Sequence, residues 1–234
     1  MIWDNIPQTL KDNGLWCCWR LTDKGKIPID AITGKMARSN DRTTFHPFID
    51  VLKKLANYYN FDENGKLLGG LGLGIFNGFS AVDIDNCRDA VTGKMTPMAD
   101  DIIDYCQSYT EISPSGKGIR IIFRTDTVID KNMYYINNRN NGLEIYISEN
   151  TNKFVTITGN VLYPSDVRYV DMTYVLNKYM SRENKLETAF TKDKKLYELY
   201  NAQAPGSGAN ESELDLALCS KLAYYLDNNE SAIN

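Results

Sequence analysis

Short apolar runs broken by clusters of Gly, Pro, Asn and Asp fill the first two thirds of the chain, the pattern of strands and turns, and only a few stretches keep a helical period. Residues 15–21 (LWCCWRL) read as a buried strand after an Asn13-Gly14 turn. Pro47 to Tyr59 places Ile49, Leu52, Leu55, Ala56 and Tyr59 on one face and predicts an amphipathic helix, with Pro47 suited to the first turn. A second helix is expected from Pro97 to about Tyr109, capped by Thr96. It would turn Met98, Ile102, Tyr105 and Cys106 inward and leave Asp100, Asp101 and Asp104 on the wet side. Between these helices, Gly72 to Asn86 (GLGIFNGFSAVDIDN) holds two apolar runs joined by Asn77-Gly78, a dipeptide that supplies the positive φ angles of a tight two-residue hairpin. Two more hairpins are expected. One pairs 109–113 with 119–123 around Pro114-Ser115-Gly116-Lys117-Gly118, and the other pairs 143–147 with 154–158 around the polar turn 148–153.

The order strand, hairpin, helix, hairpin, hairpin predicts an α+β fold: a mixed, largely antiparallel sheet flanked by helices, not a doubly wound alternation. Residues 22–45 read as a long loop punctuated by Gly25, Pro28 and Gly34. Its Lys24, Lys26, Lys35, Arg38 and Arg42 suit a phosphate-facing role, and an ordinary exposed excursion explains them equally well. Past Tyr163-Pro164 the character changes. Residues 171–180 are weakly helical, 181–195 are charged, and 201–210 (NAQAPGSGAN) have the composition of a linker. A last helix is expected from Ser212 to about Leu226, its apolar face formed by Leu214, Leu218, Leu222 and Tyr225. The expected organisation is a main domain at 1–180, a linker at 181–210, and the start of a helical domain, cut short, at 211–234.

Composition narrows the class. With 43% hydrophobic residues in 234, the chain can bury a real core. No run reaches membrane-spanning length, and the N-terminus lacks a signal-peptide pattern, so a soluble, cytoplasmic protein is expected. Five cysteines without a CxxC spacing, and a single histidine, His46, exclude a Cys/His zinc site and make the cysteines apolar filler. A net charge of -4 argues against coating nucleic acid by charge alone. The charge is nevertheless segregated: Asp83 to Asp104 carries six Asp against Arg88 and Lys94, while Arg20 to Arg42 carries six basic residues against three Asp. Both segments would also be explained as solvated surface.

Three segments could carry chemistry. Alternation along a strand puts Asp83 and Asp85 on one face, roughly 7 Å apart, opposite Val82 and Ile84. Such a pair asks for a divalent cation or open water. An Asp-x-Asp pair alone also fits sugar transferases, calcium loops and plain surface strands. Ser113-Pro-Ser-Gly-Lys-Gly-Ile-Arg120 is a turn whose backbone N–H groups can form an anion nest, with Lys117 and Arg120 as cationic donors. It is no Walker loop, since GxxxxGK[ST] is absent, and as a hairpin turn it needs no function. Glu144, between Leu143 and Ile145, is an acid on a β-prone run. Three carboxylates and a phosphate turn are the equipment of two-metal phosphoryl transfer.

At this point the chain resembles a known family. Asp83-Ile-Asp85, the SPSGKGIR segment at 113–120, and LEIY at 143–146 followed by KFVTITG at 153–159 look like the three ordered motifs of archaeo-eukaryotic primases, most closely the primase-polymerase (Prim-Pol) domain of phage and plasmid replication proteins. The basic stretch before the first motif and NESELDLALCSKLAYYL near the C-terminus fit the same likeness, which covers nearly the whole chain. The resemblance implies an RRM-like sheet and a nucleotidyltransferase, with 1–180 as the catalytic domain. It implies that Asp83, Asp85 and Glu144 hold two Mg²⁺ or Mn²⁺ ions. Ser113, Ser115, Gly116, Lys117 and Arg120 would contact a nucleoside triphosphate, with Lys153 and Thr158 nearby. Implied partners are a single-stranded DNA template, a primer, and a helicase domain or protein downstream, in a bacterial host cell. One departure stands out: the family's second motif usually ends in His, where this chain has Arg120, a permanent cation that cannot titrate. Two rival classes remain at this stage, a non-catalytic DNA-binding replication or defence module with a vestigial primase fold, and a DxD sugar transferase.

Overall fold

The computed structural model describes residues 2–182, 190, 193–202 and 218–222. They fall into two units, Met1–Val128 with Asn137–Met172, and Ile129–Ile136 with Thr173–Asn234. The first opens with a 3₁₀ turn, Ile2–Asn5, and helix α1, Gln8–Asn13. Strands β1 (Leu15–Thr22) and β2 (Gly25–Ile29) follow, then helix α2 (Phe48–Lys54) with a 3₁₀ turn at Leu55–Asn57, and strands β3 (Asn60–Phe61), β4 (Leu67–Gly74) and β5 (Phe79–Ile84). Helix α3 (Pro97–Cys106) precedes β6 (Thr110–Ile112), β7 (Ile119–Arg124), β8 (Asn137–Asn138), β9 (Leu143–Tyr146), β10 (Phe154–Ile157) and β11 (Val161–Tyr163). The fold is α+β with antiparallel strand pairing, as expected, but the strands divide between two sheets. One has the order β10-β4-β1-β2 with β3 added beside β4, and the other β11-β6-β7-β5-β9-β8.

This division overturns two expected hairpins. Asn77 and Gly78 do adopt positive φ, 57° and 77°, and Phe79 N–H donates to the Phe76 carbonyl at 3.0 Å, so the local turn forms as its sequence dictates. The runs on either side do not pair. β4 is claimed by β1 and β10, and β5 by β7 and β9, so the turn carries the chain from one sheet to the other. The same holds for 143–158, where β9 joins β5 and β10 joins β4. In both places the apolar residues on either side are better buried in separate sheets than against each other. The hairpin expected around 114–118 does form, with β6 and β7 in register from Thr110↔Ile121 to Ile112↔Ile119.

The basic stretch 22–45 is not simply a loop either. Its residues 25–29 form β2, which pairs with β1 from Thr22↔Gly25 to Cys18↔Ile29. Pro28 fits because β2 is the last strand of its sheet; its outer side meets only an isolated bridge, Ile29↔Met36, and the Pro28 carbonyl accepts from Ala37 N–H at 2.9 Å. The predicted helices are present. α2 is shorter than expected, tightening into a 3₁₀ turn, and α3 starts where Thr96 Oγ1 accepts from Ala99 N–H and ends at Gln107 in the left-handed conformation.

Trp16, Trp19, Leu71 and Leu73 are fully buried on the first sheet, and Phe79, Val82, Ile84, Ile119, Ile121, Phe123 and Leu143 on the second. Cys17, Cys18, Cys87 and Cys106 are buried free thiols, in keeping with the filler role; Cys219 is exposed. No helix among the described residues is long and apolar enough to cross a membrane. In the second unit, Thr173–Val175 and the π-turn Leu176–Met180 match the weak helical signal there. Lys194–Ala202 is helical within the expected linker, and Leu218 to Leu222 are helical within the expected last helix. The rest of 203–217 and 223–234 lies outside the described residues.

Candidate active site

Antiparallel register brings directly opposed residues onto one face, and here it lines up five polar side chains across the second sheet. Glu111 on β6 faces Arg120 on β7, Arg120 faces Asp83 on β5, Asp83 faces Glu144 on β9, and Glu144 faces Asn137 on β8. Asp85 lies one residue beyond the end of β5, within the electrostatic field of Asp83 and Arg120. The intervening positions Val82, Ile84, Ile119, Ile121, Leu143 and Ile145 point to the other face and are buried, which fixes the register: a slip of one residue would exchange the charged row for the core.

Arg120 is buried, and its Nη2 donates to Asp83 Oδ2 at 3.2 Å. The pair is only partly satisfied. Arg120 Nε and Nη1 and Asp83 Oδ1 are buried without a hydrogen-bond partner among the described residues. A buried acceptor on the aspartate and two buried donors on the arginine are thus left without a protein partner, a state that buried polar groups rarely keep. Glu144 accepts from the Asn137 amide. Burial, then the charges of Asp83 and Asp85, holds its carboxyl above the ordinary carboxylate range, against the pull of Lys153 and Arg139. Asp85 is raised for the same reasons, desolvation first and Asp83 second. Among the described residues, no three His, Cys, Asp or Glu side chains converge into a ready-made cation cage. Arg120 and Asn137 hold two of the three acids to protein partners, yet the open Asp83 oxygen and the mutual repulsion of the acids suit a divalent cation.

The turn lies at the end of this row. Ser113 Oγ and Ser115 Oγ are 3.0 Å apart, Gly118 N–H donates to Ser113 Oγ at 3.2 Å, and Lys117 N–H to Ser115 Oγ at 3.3 Å. Gly118 is where the turn meets the acidic strand. A Cβ there would lie 2.6 Å from the Ile84 carbonyl oxygen and 3.5 Å from the Asp85 Cα, so only glycine lets the two backbones approach. Arg88 clamps the turn from below, its N–H donating to the Lys117 carbonyl and its Nη1 to the Gly116 carbonyl, both at 2.9 Å. Lys117 is exposed.

Of the residues singled out from sequence, Asp83, Asp85, Arg120 and Glu144 stand together, with the Ser113–Lys117 turn against Asp85. Lys153 lies over the Tyr146 ring at 5.6 Å and acts on Glu144. Thr158 sits behind the row, its Oγ1 donating to the Ile112 carbonyl at 2.8 Å.

Two further residues neighbour this row: Lys26, expected only as one of five basic residues suited to a phosphate-facing role, and Glu111, which was not expected there. Lys26, on β2 of the other sheet, shares the field of this group: desolvation and then Arg120 lower its pKa, while Asp83 and Asp85 raise it. Its only sequence signal was membership of the basic stretch. Glu111 is fully buried and accepts from Thr158 N–H at 2.8 Å, Gly159 N–H at 3.0 Å and Tyr109 Oη at 3.0 Å. Burial pushes it up to about 7, despite those bonds and the Arg120 charge. An acid inside the β-prone run 109–113 was the available signal.

The chain is similar to a phage DNA primase-polymerase. The relative is the DNA primase-polymerase of Nitratiruptor phage NrS-1, 26% identical over 231 residues, covering 90% of this chain. The chain spans 30% of that relative's length. No family model matches the chain. The alignment is consistent with a Prim-Pol-like relationship along almost all of the sequence.

Proposed function

We propose that this chain carries out template-directed nucleotidyl transfer from (d)NTPs to a 3′-hydroxyl, as a DNA primase/polymerase of phage or plasmid replication. The observation that carries the reading is the row Arg120–Asp83–Glu144, in which a buried, open carboxylate oxygen lies beside buried, open guanidinium donors. The similarity to a phage primase-polymerase supports it.

Asp83, Asp85 and Glu144 would hold two divalent ions, Mg²⁺ or Mn²⁺, whose chemistry when bound is to acidify the attacking hydroxyl and offset charge on the departing pyrophosphate. Arg120 donates from a fixed, desolvated position, so no reorganisation is needed as charge builds on the reacting phosphate. The exposed Lys117 ammonium and the exposed Ser115 hydroxyl bind the triphosphate tail and orient its α-phosphate toward the acids. Lys26, whose charge acts on Asp83 and Asp85, supplies a further cation. Single-stranded template and primer would lie across the sheet.

Primer synthesis and extension by the purified protein with Mg²⁺ or Mn²⁺ test this reading. Incorporation is expected, and it should disappear in the Asp83→Ala/Asp85→Ala double variant. Wild-type incorporation by that variant sinks the assignment. Absence of incorporation by the parent, together with DNA binding that chelators leave unchanged, would favour a non-catalytic DNA-binding module.

A further inference from the structure

Against the phosphate turn lies a cavity of about 200 Å³ to which the reaction outlined above assigns no role. Its walls come from both sheets: Tyr59 and Phe61 from the β3 segment, Ile112 and Ser113 from the end of β6, and Thr158 and Asn160 from the connection between β10 and β11. It shares Ser113 and Gly116 with the turn.

We infer that this cavity receives one unstacked nucleobase of a single-stranded nucleic acid, with Phe61 as the stacking surface and the Asn160 amide as the group that meets the base edge. The inference rests on the polymerase reading, since that reading supplies the strand.

Four observations support it. First, Phe61 is 52% exposed although it is a large aromatic, and its ring is held rather than loose: it stands edge-on to Tyr59 at 5.2 Å, and Tyr59 stands edge-on to Trp3 at 5.4 Å. A rigid, open aromatic face is what base stacking uses, and stacking tolerates any base. Second, the register of β3 on β4 shifts between Asn60 and Phe61, a bulge on an edge strand, the device that re-aims a side chain. Third, Asn160 is anchored through its backbone at both ends. Its N–H donates to Thr158 Oγ1 at 3.1 Å and its carbonyl accepts from Ile112 N–H at 2.8 Å, while its side-chain amide makes no bond among the described residues. Fourth, none of the lining residues is charged. A free nucleotide would bring a triphosphate with no cation in the wall to receive it, whereas a base on a strand leaves its phosphates outside. The volume is smaller than the roughly 300–1,000 Å³ of drug-sized sites, room for a single planar ring system.

The test is fluorescence anisotropy of the full chain with a labelled single-stranded oligonucleotide, and with a strand of equal length in which the bases are replaced by abasic sugars. Phe61→Ala should weaken binding of the base-bearing strand by roughly five-fold or more, the lower bound of one stacking contact. Phe61→Trp should restore it. Neither change should alter binding of the abasic strand or of a dNTP. Because Phe61 is half exposed, both variants keep the core, and circular dichroism checks that they fold. Equal binding of base-bearing strand by parent and Phe61→Ala overturns the inference. So does an equal loss on both strands, which indicates a backbone contact, or a loss confined to dNTP. The incorporation assay separates the two readings. A parent that incorporates nothing but shows the Phe61 effect removes the activity and keeps the pocket; full incorporation without the Phe61 effect removes the pocket alone.

Discussion

Arg120 and Asp83 face each other across the β5–β7 register and form an ion pair at 3.2 Å in which the arginine is almost entirely buried. The chain thus places a permanent cation beside its central acid. That choice ties the charge balance of the site to one side chain. Arg120→Met leaves Asp83 without its cation, next to Asp85 and Glu144, and should destabilise the fold by about 3–5 kcal/mol. Mn²⁺ should recover more stability in this variant than it adds to the parent, because the divalent ion replaces the lost charge. Denaturant unfolding with and without Mn²⁺ measures both; equal Mn²⁺ effects would count against cation binding by these acids.

Glu111 gives the protein a pH dependence of unusual sign for a carboxylate. Its folded pKa, about 7, lies above the ordinary 4.5, so the folded chain holds the proton more tightly than the unfolded chain. Its contribution to stability is complete below about pH 4.5 and is lost as pH rises through about 7. Glu111→Gln should lower stability at all pH values, because an amide NH₂ meets either the Thr158 or the Gly159 N–H, but it should flatten the slope between those limits. The informative quantity is the parent-minus-variant difference in unfolding free energy at pH 5 and pH 7.5. If that difference does not change with pH, Glu111 does not titrate there.

Lys26, on β2 of the other sheet, lies over the Trp19 ring at 5.8 Å and within the electrostatic field of Asp83 and Asp85. If it meets the triphosphate, Lys26→Ala should raise the KM for nucleotide by about ten-fold or more, the loss of one charge-assisted contact, with a smaller change in kcat. Lys26→Arg should keep most of the affinity. A KM equal to the parent's in Lys26→Ala would remove this residue from the substrate site.

Two glycines of the phosphate turn should respond differently to alanine. At Gly118 the new Cβ would lie 2.6 Å from the Ile84 carbonyl oxygen, a backbone atom that cannot move aside without shifting β5. The expected cost is about 1–3 kcal/mol, together with weakened nucleotide binding. At Gly116 the Cβ meets open space, and only its φ of +73° opposes the change, about 1–2 kcal/mol. Thermal unfolding and nucleotide titration of the two variants check the contrast, since only Gly118→Ala should displace the turn relative to Asp85.

Local physics was legible in the sequence. Asn77-Gly78 formed the turn its residues favour, Thr96 capped its helix, and 113–120 folded back as a hairpin. The acids Asp83, Asp85 and Glu144 could be named because a charge on a β-prone run stands out in one dimension. What the tertiary structure decided was pairing. A turn dictates its own φ and ψ but not whether the strands beside it join each other, and β4 and β9 both found better-buried partners elsewhere in the chain. The same long-range register set Arg120 between Asp83 and Glu111. Glu111 was hidden for that reason. Its meaning lies in the Thr158 and Gly159 N–H groups, 47 and 48 residues away, which only folding brings to it.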